Sequence, residues 1–423
     1  MQSEDTQNLV SCCQRLGLST SLVQKVQAFV IENYLIIGIF VSVLFAFLYP
    51  DIGIIFASWQ AGEYKIVSLL NVCLVFLISG FTLKLEELKL VFSFKFQILY
   101  SLIMINFITT LLAFGLIRLP YLSPDFAVGL AIFATVPTTL GVGVALTQLA
   151  KGDLVFSLFL TVTSNMLGTV TVPFLLGIYL NYISGLKLDP ISLLLRLILS
   201  VLFPSIVGMA CRFCIPNAAM STKKYKTELS LFSTTNLLMI IWMTLSESRN
   251  NLLQQKAGEI LYTLIVAIVM HIFYLCINTA LVGRFVFKFP LKQAISAIIM
   301  CSQKSSPVGL AIITSMNADS SQKGLYAIPC IMGQISQIFI GAFVVKRFSK
   351  WVEEDEMATN KAKAMTEAAN NLESGESTPE TNIEQKASSA VEKIENGVVS
   401  PGKLATTTTS SELELVNTSS ERI

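Results

Sequence analysis

The chain has 423 residues, of which 53% are hydrophobic and 14% are charged, and its formal net charge is +2. Soluble domains usually carry about 25% charged residues, so the composition excludes a soluble enzyme, a nucleic-acid-binding protein and a disordered hub as descriptions of the whole chain. Residues 1–350 hold 24 Lys and Arg against 14 Asp and Glu, whereas residues 351–423 hold six against 14. The sequence therefore predicts an integral membrane protein with an acidic, soluble end.

The N-terminal segment, residues 1–32, is expected to be cytoplasmic and to contain an amphipathic helix. Leu22, Val23, Val26 and Phe29 share one helical face, a pattern typical of a helix on the membrane surface, although the helix could instead extend the first span. The first residues have neither the basic region of a secretory signal nor an Arg- and Ser-rich presequence. We therefore expect the plasma membrane or a secretory-pathway membrane rather than a plastid envelope.

Ten apolar segments follow, each bounded by charged or turn residues. A helix that crosses the bilayer core requires about 20 apolar residues. The segments lie near 34–50, 66–82, 96–117, 126–150, 154–180, 191–211, 229–246, 258–283, 292–315 and 325–345. With 16 basic residues in the loops on one side and seven in the loops on the other, the positive-inside rule predicts that both termini are cytoplasmic.

The fourth and ninth segments are interrupted near their centres. Pro137 in the fourth is followed by Thr138 and Thr139, and Pro307 in the ninth follows a polar run. That run consists of Ser302, Gln303, Lys304, Ser305 and Ser306. Proline removes a backbone donor and frees a carbonyl one turn earlier, and unpaired backbone at membrane depth is tolerated only inside protein or beside a wet cavity. Freed carbonyls and helix ends could bind an ion or a substrate there.

The two interruptions occupy matching places, since each is the fourth of five segments. Two sets of five spans insert in opposite orientations, and broken helices at corresponding positions of inverted halves indicate a secondary-transporter site. We therefore predict an all-α polytopic membrane protein whose ten transmembrane helices form two inverted five-helix repeats with broken helices four and nine. The transporter domain should span 33–347, with repeats at about 33–180 and 190–347. A proline that merely bends each helix is the alternative.

Lys304 is the one charged residue that the sequence places near mid-bilayer. A charge there costs about 2.5–3.5 kcal/mol on insertion scales, so Lys304 should face a cavity, a carbonyl cluster or an anion. It could be a fixed internal cation, a counter-charge for an anionic substrate, or a titrating group in proton coupling, because burial disfavours the charged form. His271, the only histidine, is expected to be a satisfied core residue.

Other polar residues inside the predicted spans are weaker candidates for ligand contacts. Ser157, Thr161 and Asn165 lie in the fifth segment, and Gln334 and Gln337 lie in the tenth. Such groups often only join helices by hydrogen bonds. The body has no acid–base pair, metal-ligand spacing or phosphate-binding loop, so we expect no enzyme activity and no cofactor apart from Na⁺ or H⁺ as a coupling ion.

Residues 348–423 are expected to form a disordered cytoplasmic tail. They are rich in Glu, Ser, Thr and Asn, and such a composition buries too little apolar surface to offset the entropy of ordering. Thr378 and Ser400 each precede a proline and could accept phosphate. Protein partners could bind through residues 351–423, and an inert tail is an equal alternative.

Several motifs resemble those of the bile acid/sodium symporter superfamily. They lie at 81–88 after the second segment, 137–152 and 161–168 in the fourth and fifth, and 302–306, 328–330, Gln334 and Gln337 in the ninth and tenth. The likeness covers about residues 33–347. It is strongest to the branch that holds plant plastid sodium/metabolite cotransporter-like proteins and animal and fungal relatives implicated in calcium homeostasis.

The resemblance implies that helices four and nine cross at their breaks within a core that packs beside a panel of helices. In sodium-coupled members a Ser-Asn pair after the first break, hydroxyls of helix five and an acidic residue in helix nine bind the ions. Ser157 and Thr161 match those hydroxyls and mark a potential Na⁺ position, whereas 141–143 and Lys304 depart from the pattern. Because a lysine would repel sodium, our hypothesis is that Lys304 takes the place of a coupling cation.

The sequence thus predicts a secondary active transporter of an organic anion or metabolite, sodium-coupled by family resemblance unless Lys304 replaces the cation. Its partners would be a small-molecule substrate and the lipid bilayer, without nucleic acid. The alternative is a membrane regulator of calcium influx or homeostasis that acts through channels or pumps. The candidate binding residues are Pro137, Thr138, Thr139, Ser157, Thr161, Asn165, Ser302, Gln303, Lys304, Ser305, Pro307, Gln334 and Gln337.

Overall fold

The computed structural model describes residues 20–61, 64–82, 94–139, 141–183, 188–215, 218–285 and 289–373. The helices of the first part are α1 (Thr20–Glu32), α2 (Tyr34–Leu48), α3 (Pro50–Ser58), α4 (Ile66–Thr82), α5 (Lys95–Leu116), α6 (Pro124–Thr135), α7 (Val142–Leu149) and α8 (Leu154–Ile183). Those of the second are α9 (Pro190–Cys214), α10 (Ala218–Lys224), α11 (Lys226–Gln254), α12 (Ala257–Asn278), α13 (Leu291–Ser302), α14 (Ser306–Ser315) and α15 (Ser320–Glu373).

The predicted all-α class has one small exception among the described residues. Strands β1 (Gln60–Ala61) and β2 (Tyr64–Lys65) form an antiparallel pair before α4. With only two residues in each strand, the pair connects α3 to α4 and builds no sheet core. All other regular secondary structure of the described residues is helical.

Six helices of the described chain are long and apolar enough to cross a membrane: α5, α8, α9, α11, α12 and α15. A seventh span results if α2 is counted together with α1, from which it is bent by 76°. Because α4, with 17 residues, and α6, with 12, are shorter apolar helices, they do not reach that length alone. The protein is therefore a polytopic membrane protein, and ten spans in inverted repeats stay a prediction.

Helices α4 and α9 pack backbone to backbone through two glycines. A Cβ atom on Gly80 would clash with the carbonyl oxygen of Ser205, and one on Gly208 would clash with that of Leu77. Only glycine permits this approach. The same two helices, with α2, α3 and α11, form one packed group, whereas α5, α6, α8 and α12–α14 pack around the interruptions.

The structure divides into two units, Met1–Ser349 and Lys350–Ile423. Disorder was expected from residue 348 onward, and this is wrong for 348–373, which lie in α15. The Ala, Lys, Met and Glu residues of this stretch favour helix strongly enough to explain the difference. Residues 374–423, with Thr378 and Ser400, lie outside the described residues, as do residues 1–19.

Candidate functional site

The two interruptions predicted from the sequence lie in contact with each other. Residues 136–139 between α6 and α7 and residues 303–305 between α13 and α14 are not helical. The backbone N–H of Ser305 donates a hydrogen bond of 3.0 Å to the carbonyl oxygen of Pro137. Each interruption therefore satisfies part of the free backbone of the other, as buried polar groups require.

The first interruption is produced by residues on either side of the proline. Val136 is extended, with ψ 152°, because the residue before a proline is driven out of the α region. The chain turns back into helix at α7, where the hydroxyl oxygen of Thr139 accepts hydrogen bonds from the N–H groups of Gly141 and Gly143, at 3.3 and 3.2 Å. The Thr139 oxygen is therefore occupied by two N–H groups at the start of α7.

At the second interruption the proline begins a helix and does not bend one. The hydroxyl oxygen of Ser305 accepts the N–H of Val308 at 3.4 Å, and Pro307 lies in the first turn of α14. Proline is favoured there because its missing N–H has no intrahelical partner to lose. The break thus lies at 303–305, within the polar run that precedes Pro307.

Lys304 is completely buried at this contact. Its Nζ donates to the hydroxyl oxygen of Thr109 at 2.9 Å, to the carbonyl of Val136 at 3.0 Å and to the carbonyl of Ile105 at 3.2 Å. These three acceptors match the three donors of an ammonium group. Nζ also lies 5.7 Å from the ring centroid of Tyr274, within the range of a cation–π contact.

The charge of Lys304 is held by oxygens that carry no formal charge. The carbonyl of Val136 is at the C-terminal end of α6, where the helix dipole favours a cation. The ion pair between Lys65 and Glu247 does not involve Lys304, and no carboxylate is among the acceptors of the Lys304 Nζ. No described group of three or more His, Cys, Asp and Glu could hold a metal ion. Of the three roles considered for Lys304, this geometry fits the fixed internal cation.

Two glutamines of α15 support the second interruption. The side-chain oxygen of Gln337 accepts the backbone N–H of Lys304 at 3.0 Å, and that of Gln334 accepts the N–H of Ser306 at 3.4 Å. The side-chain nitrogens of both glutamines and the side-chain oxygen of Gln303 are buried without a hydrogen-bond partner. The glutamine oxygens therefore bind backbone N–H groups of the break, while the glutamine NH₂ groups remain free to donate beside it.

Ser302 joins the end of α13 to α12. Its hydroxyl donates to the carbonyl of Ile298 at 2.6 Å, and its own carbonyl lies 3.1 Å from Nδ1 of His271. The other ring nitrogen of His271 is buried without a partner. The expectation of a satisfied core histidine thus holds for one nitrogen and is wrong for the other.

Helix α8 contacts the first interruption through the side-chain amide of Asn165. The Asn165 side-chain nitrogen donates to the carbonyl of Thr138 at 3.1 Å and to that of Thr161 at 2.6 Å. The Asn165 side-chain oxygen and the Thr138 hydroxyl are buried without a partner. These two oxygens are therefore the acceptors that α8 and the first break could offer to a ligand.

The two hydroxyls matched to a sodium site bond within their own helix. Ser157 donates to the carbonyl of Asp153 at 3.0 Å, and Thr161 donates to the carbonyl of Ser157 at 2.9 Å. Such bonds to the carbonyl four residues earlier are common for Ser and Thr in helices. The structure thus does not bring Ser157 and Thr161 into contact with Lys304.

A cavity of about 80 Å³ lies between α4, α8 and α9. Its polar lining includes Thr161, Asn165, Thr169, Ser79 and Ser205. The rest is mostly apolar, including phenylalanine, methionine, leucine and valine side chains. Asn165 therefore contacts the first interruption and also lines the cavity, whereas Lys304 does not line the cavity.

Sequence reasoning missed the third predicted span, which supplies two of the three acceptors of Lys304. The carbonyls of Ile105 and Val136 are backbone groups, and backbone acceptors leave no residue-type signal. The threonine pair Thr109 and Thr110 in an apolar segment was visible in the sequence and could have pointed to α5. Tyr274 carried no comparable signal.

Comparison with known proteins gives consistent matches. The model of the SBF-like CPA transporter family matches residues 33–350. The chain is 29% identical over 350 residues to the probable sodium/metabolite cotransporter BASS4, chloroplastic, of Oryza sativa subsp. indica. The aligned residues make up 81% of this chain and 81% of the relative. It is 23% identical over 325 residues to sodium/bile acid cotransporter 7 of Danio rerio, covering 76% of this chain and 95% of the relative.

A fungal relative matches a smaller part. Solute carrier RCH1 of Saccharomyces cerevisiae is 21% identical over 275 residues, covering 55% of this chain and 63% of the relative. All three relatives are named as carriers or cotransporters, and none is named as an enzyme.

Proposed function

Because the chain belongs to the SBF-like CPA transporter family, we propose that it is a secondary active transporter of an organic anion or metabolite in which Lys304 takes the place of a coupling cation. The likeness to the bile acid/sodium symporter superfamily is confirmed, and the family and its named members are transporters rather than enzymes. The proposal includes ten transmembrane helices in two inverted five-helix repeats, with both termini cytoplasmic.

The observation that carries the proposal is the set of oxygens around Lys304. Three neutral oxygens from α5 and from the end of α6 coordinate its ammonium, as carbonyl and hydroxyl oxygens would coordinate a bound cation. Two unit charges 4 Å apart repel by about 4 kcal/mol at an effective dielectric constant of 20. A sodium ion bound beside Lys304 would therefore be strongly disfavoured.

The cavity between α4, α8 and α9 is the proposed substrate position. Its wall combines apolar side chains with hydroxyl and amide groups, and none of its lining residues is acidic. This chemistry suits a small molecule with an apolar body and a polar group. Asn165 would couple the substrate to the first interruption, because its amide lines the cavity and donates to the carbonyl of Thr138.

The location and coupling ion are also part of the proposal. We place the protein in the plasma membrane or another secretory-pathway membrane, whereas the rice relative is named as chloroplastic. Several relatives are named as sodium cotransporters or as sodium-dependent, so coupling to Na⁺ near Ser157 and Thr161 is the rival to a sodium-independent or proton-coupled carrier.

A thermal-shift screen of the purified full chain tests the proposal. Bile salts, 2-oxoacids and sterol sulfates would be added in Na⁺, K⁺, Ca²⁺ or choline buffers and at several pH values. A ligand that binds the native state raises its stability by mass action. We expect an organic anion to raise the melting temperature equally in Na⁺ and choline, and uptake into vesicles to follow the same ligand. Stabilisation by the anion in Na⁺ buffer alone would contradict the proposal.

A further inference from the structure

Helix α5 is irregular where it meets Lys304. Residues Met104–Ile108 form a π-helical turn and Thr109–Leu111 a 3-10 turn. Within this stretch the Thr109 hydroxyl lies 2.9 Å from the carbonyl of Met104 and 3.1 Å from that of Ile105. These two carbonyls share its single proton. Turns of π type inside α-helices are rare and occur often at functional sites.

The direction of the bond between Thr109 and Lys304 is fixed by chemistry. An ammonium has no lone pair, so the Thr109 oxygen must accept from Nζ, while its own proton goes to the α5 backbone. The Thr109 hydroxyl thus links the ammonium of Lys304 to the carbonyls of the irregular turn by hydrogen bonds. The Thr109 carbonyl in turn accepts the hydroxyl of Tyr274 at 2.8 Å, which joins α12 to the same point.

We propose that Thr109 is a positioning residue that sets where the ammonium of Lys304 lies, so that the third predicted span belongs to the transport site. This inference rests on the proposed function of Lys304 as an internal cation. A lysine has a flexible four-carbon stem, so the backbone of residue 304 does not determine the position of its charge. Two of the three acceptors are on α5 and one is at the first break.

The neighbouring residue provides a matched control. Thr110 is equally buried, but its hydroxyl bonds to the carbonyl of Phe107 at 2.6 Å and to the hydroxyl of Tyr179 at 3.0 Å, with no contact to Lys304. Thr109→Val and Thr110→Val therefore each remove one buried hydroxyl from adjacent positions. Thr109→Ser keeps the hydroxyl and loses only a methyl group.

A double-mutant cycle on the purified full chain, read as the melting temperature without substrate, tests the inference. The cycle combines Thr109→Val with Lys304→Met, and a parallel cycle combines Thr110→Val with Lys304→Met. We expect at least half of the loss caused by Thr109→Val to vanish in the Lys304→Met background, whereas the loss caused by Thr110→Val persists in full. Thr109→Ser should recover most of the wild-type value.

Additive losses in the Thr109 cycle, or equal non-additivity in both cycles, would overturn the inference. If Lys304→Met does not fold, Lys304→Leu replaces it, because a side chain without donors also removes the bond to Thr109. The readout needs no substrate, so a failed transport assay would count against the proposed function and leave the cycle interpretable. If Thr109 and Lys304 were coupled in a protein that transports nothing, the positioning role would stand and the proposed function would fail.

Discussion

Lys65 and Lys304 are both largely removed from solvent, and the structure holds their charges in different ways. Lys65, at the strand pair before α4, forms an ion pair with Glu247 of α11 and donates to the hydroxyl of Ser320 at 2.8 Å. Lys304 contacts neutral oxygens and an aromatic ring. A carboxylate cancels a charge locally, whereas neutral acceptors satisfy the N–H groups and leave the positive charge in place.

Two further basic side chains near Lys65 bind backbone carbonyls. Lys323 donates to the carbonyl of Thr314 at 3.1 Å, and Arg196 donates to that of Ser315 at 3.3 Å. Both carbonyls end α14, where cations complement the helix dipole. Charge in this region therefore serves to join helix ends, and its removal should affect stability more than ligand binding.

The largest effect is expected for Lys304→Ala. The change removes the ammonium from the carbonyls of Ile105 and Val136 and from the hydroxyl of Thr109 and opens a cavity, and we expect a loss of about 2–5 kcal/mol of stability. The melting temperature of the purified protein measures it, and Lys65→Ala is the matched control with a smaller loss. Equal losses for the two lysines would remove the distinction between them.

The next largest effect is expected for Asn165→Ala. It removes the bond from α8 to the carbonyl of Thr138, so stability should fall by about 1–3 kcal/mol, and the shift produced by the stabilising anion should shrink. Thr169→Val is the control, because Thr169 lines the same cavity but donates to the carbonyl of Asn165 at 2.9 Å. An undiminished ligand shift in Asn165→Ala would place the substrate elsewhere.

Glu247→Gln should have a smaller effect, about 1 kcal/mol, because paired charges at incompletely buried positions contribute little. The residual hydrogen bond between Lys65 and Ser320 would soften the loss. The ligand-induced shift should stay at its wild-type value. A transport defect without loss of stability would show that the region around Lys65 also takes part in function.

Sequence reasoning reached the two breaks and the buried lysine because proline, glycine and an intramembrane charge are visible in residue types. It left open whether Pro307 kinks a helix or begins one, because proline does both and the sequence alone does not distinguish these. It could not reach the carbonyls of Ile105 and Val136, because every residue has a carbonyl and only the fold decides which are free.

Removal of 374–423 should have the smallest effect. The deletion leaves all described residues in place, so a carrier should keep its melting temperature and its ligand-induced shift. The alternative, a regulator of calcium homeostasis that acts through its tail, predicts instead that partner-dependent activity is lost while ligand binding is absent from both forms. Ligand shifts in the full chain and the truncated chain measure the difference.

The sodium dependence of stability tests most directly whether Lys304 replaces a coupling cation. The melting temperatures of the wild type and Lys304→Met would be compared in NaCl and in choline chloride at equal ionic strength. A sodium site filled at 100 times its dissociation constant would add about 2.7 kcal/mol. If Lys304 replaces the cation, the wild type shows no sodium-specific shift. A sodium-specific shift in the wild type would contradict this replacement.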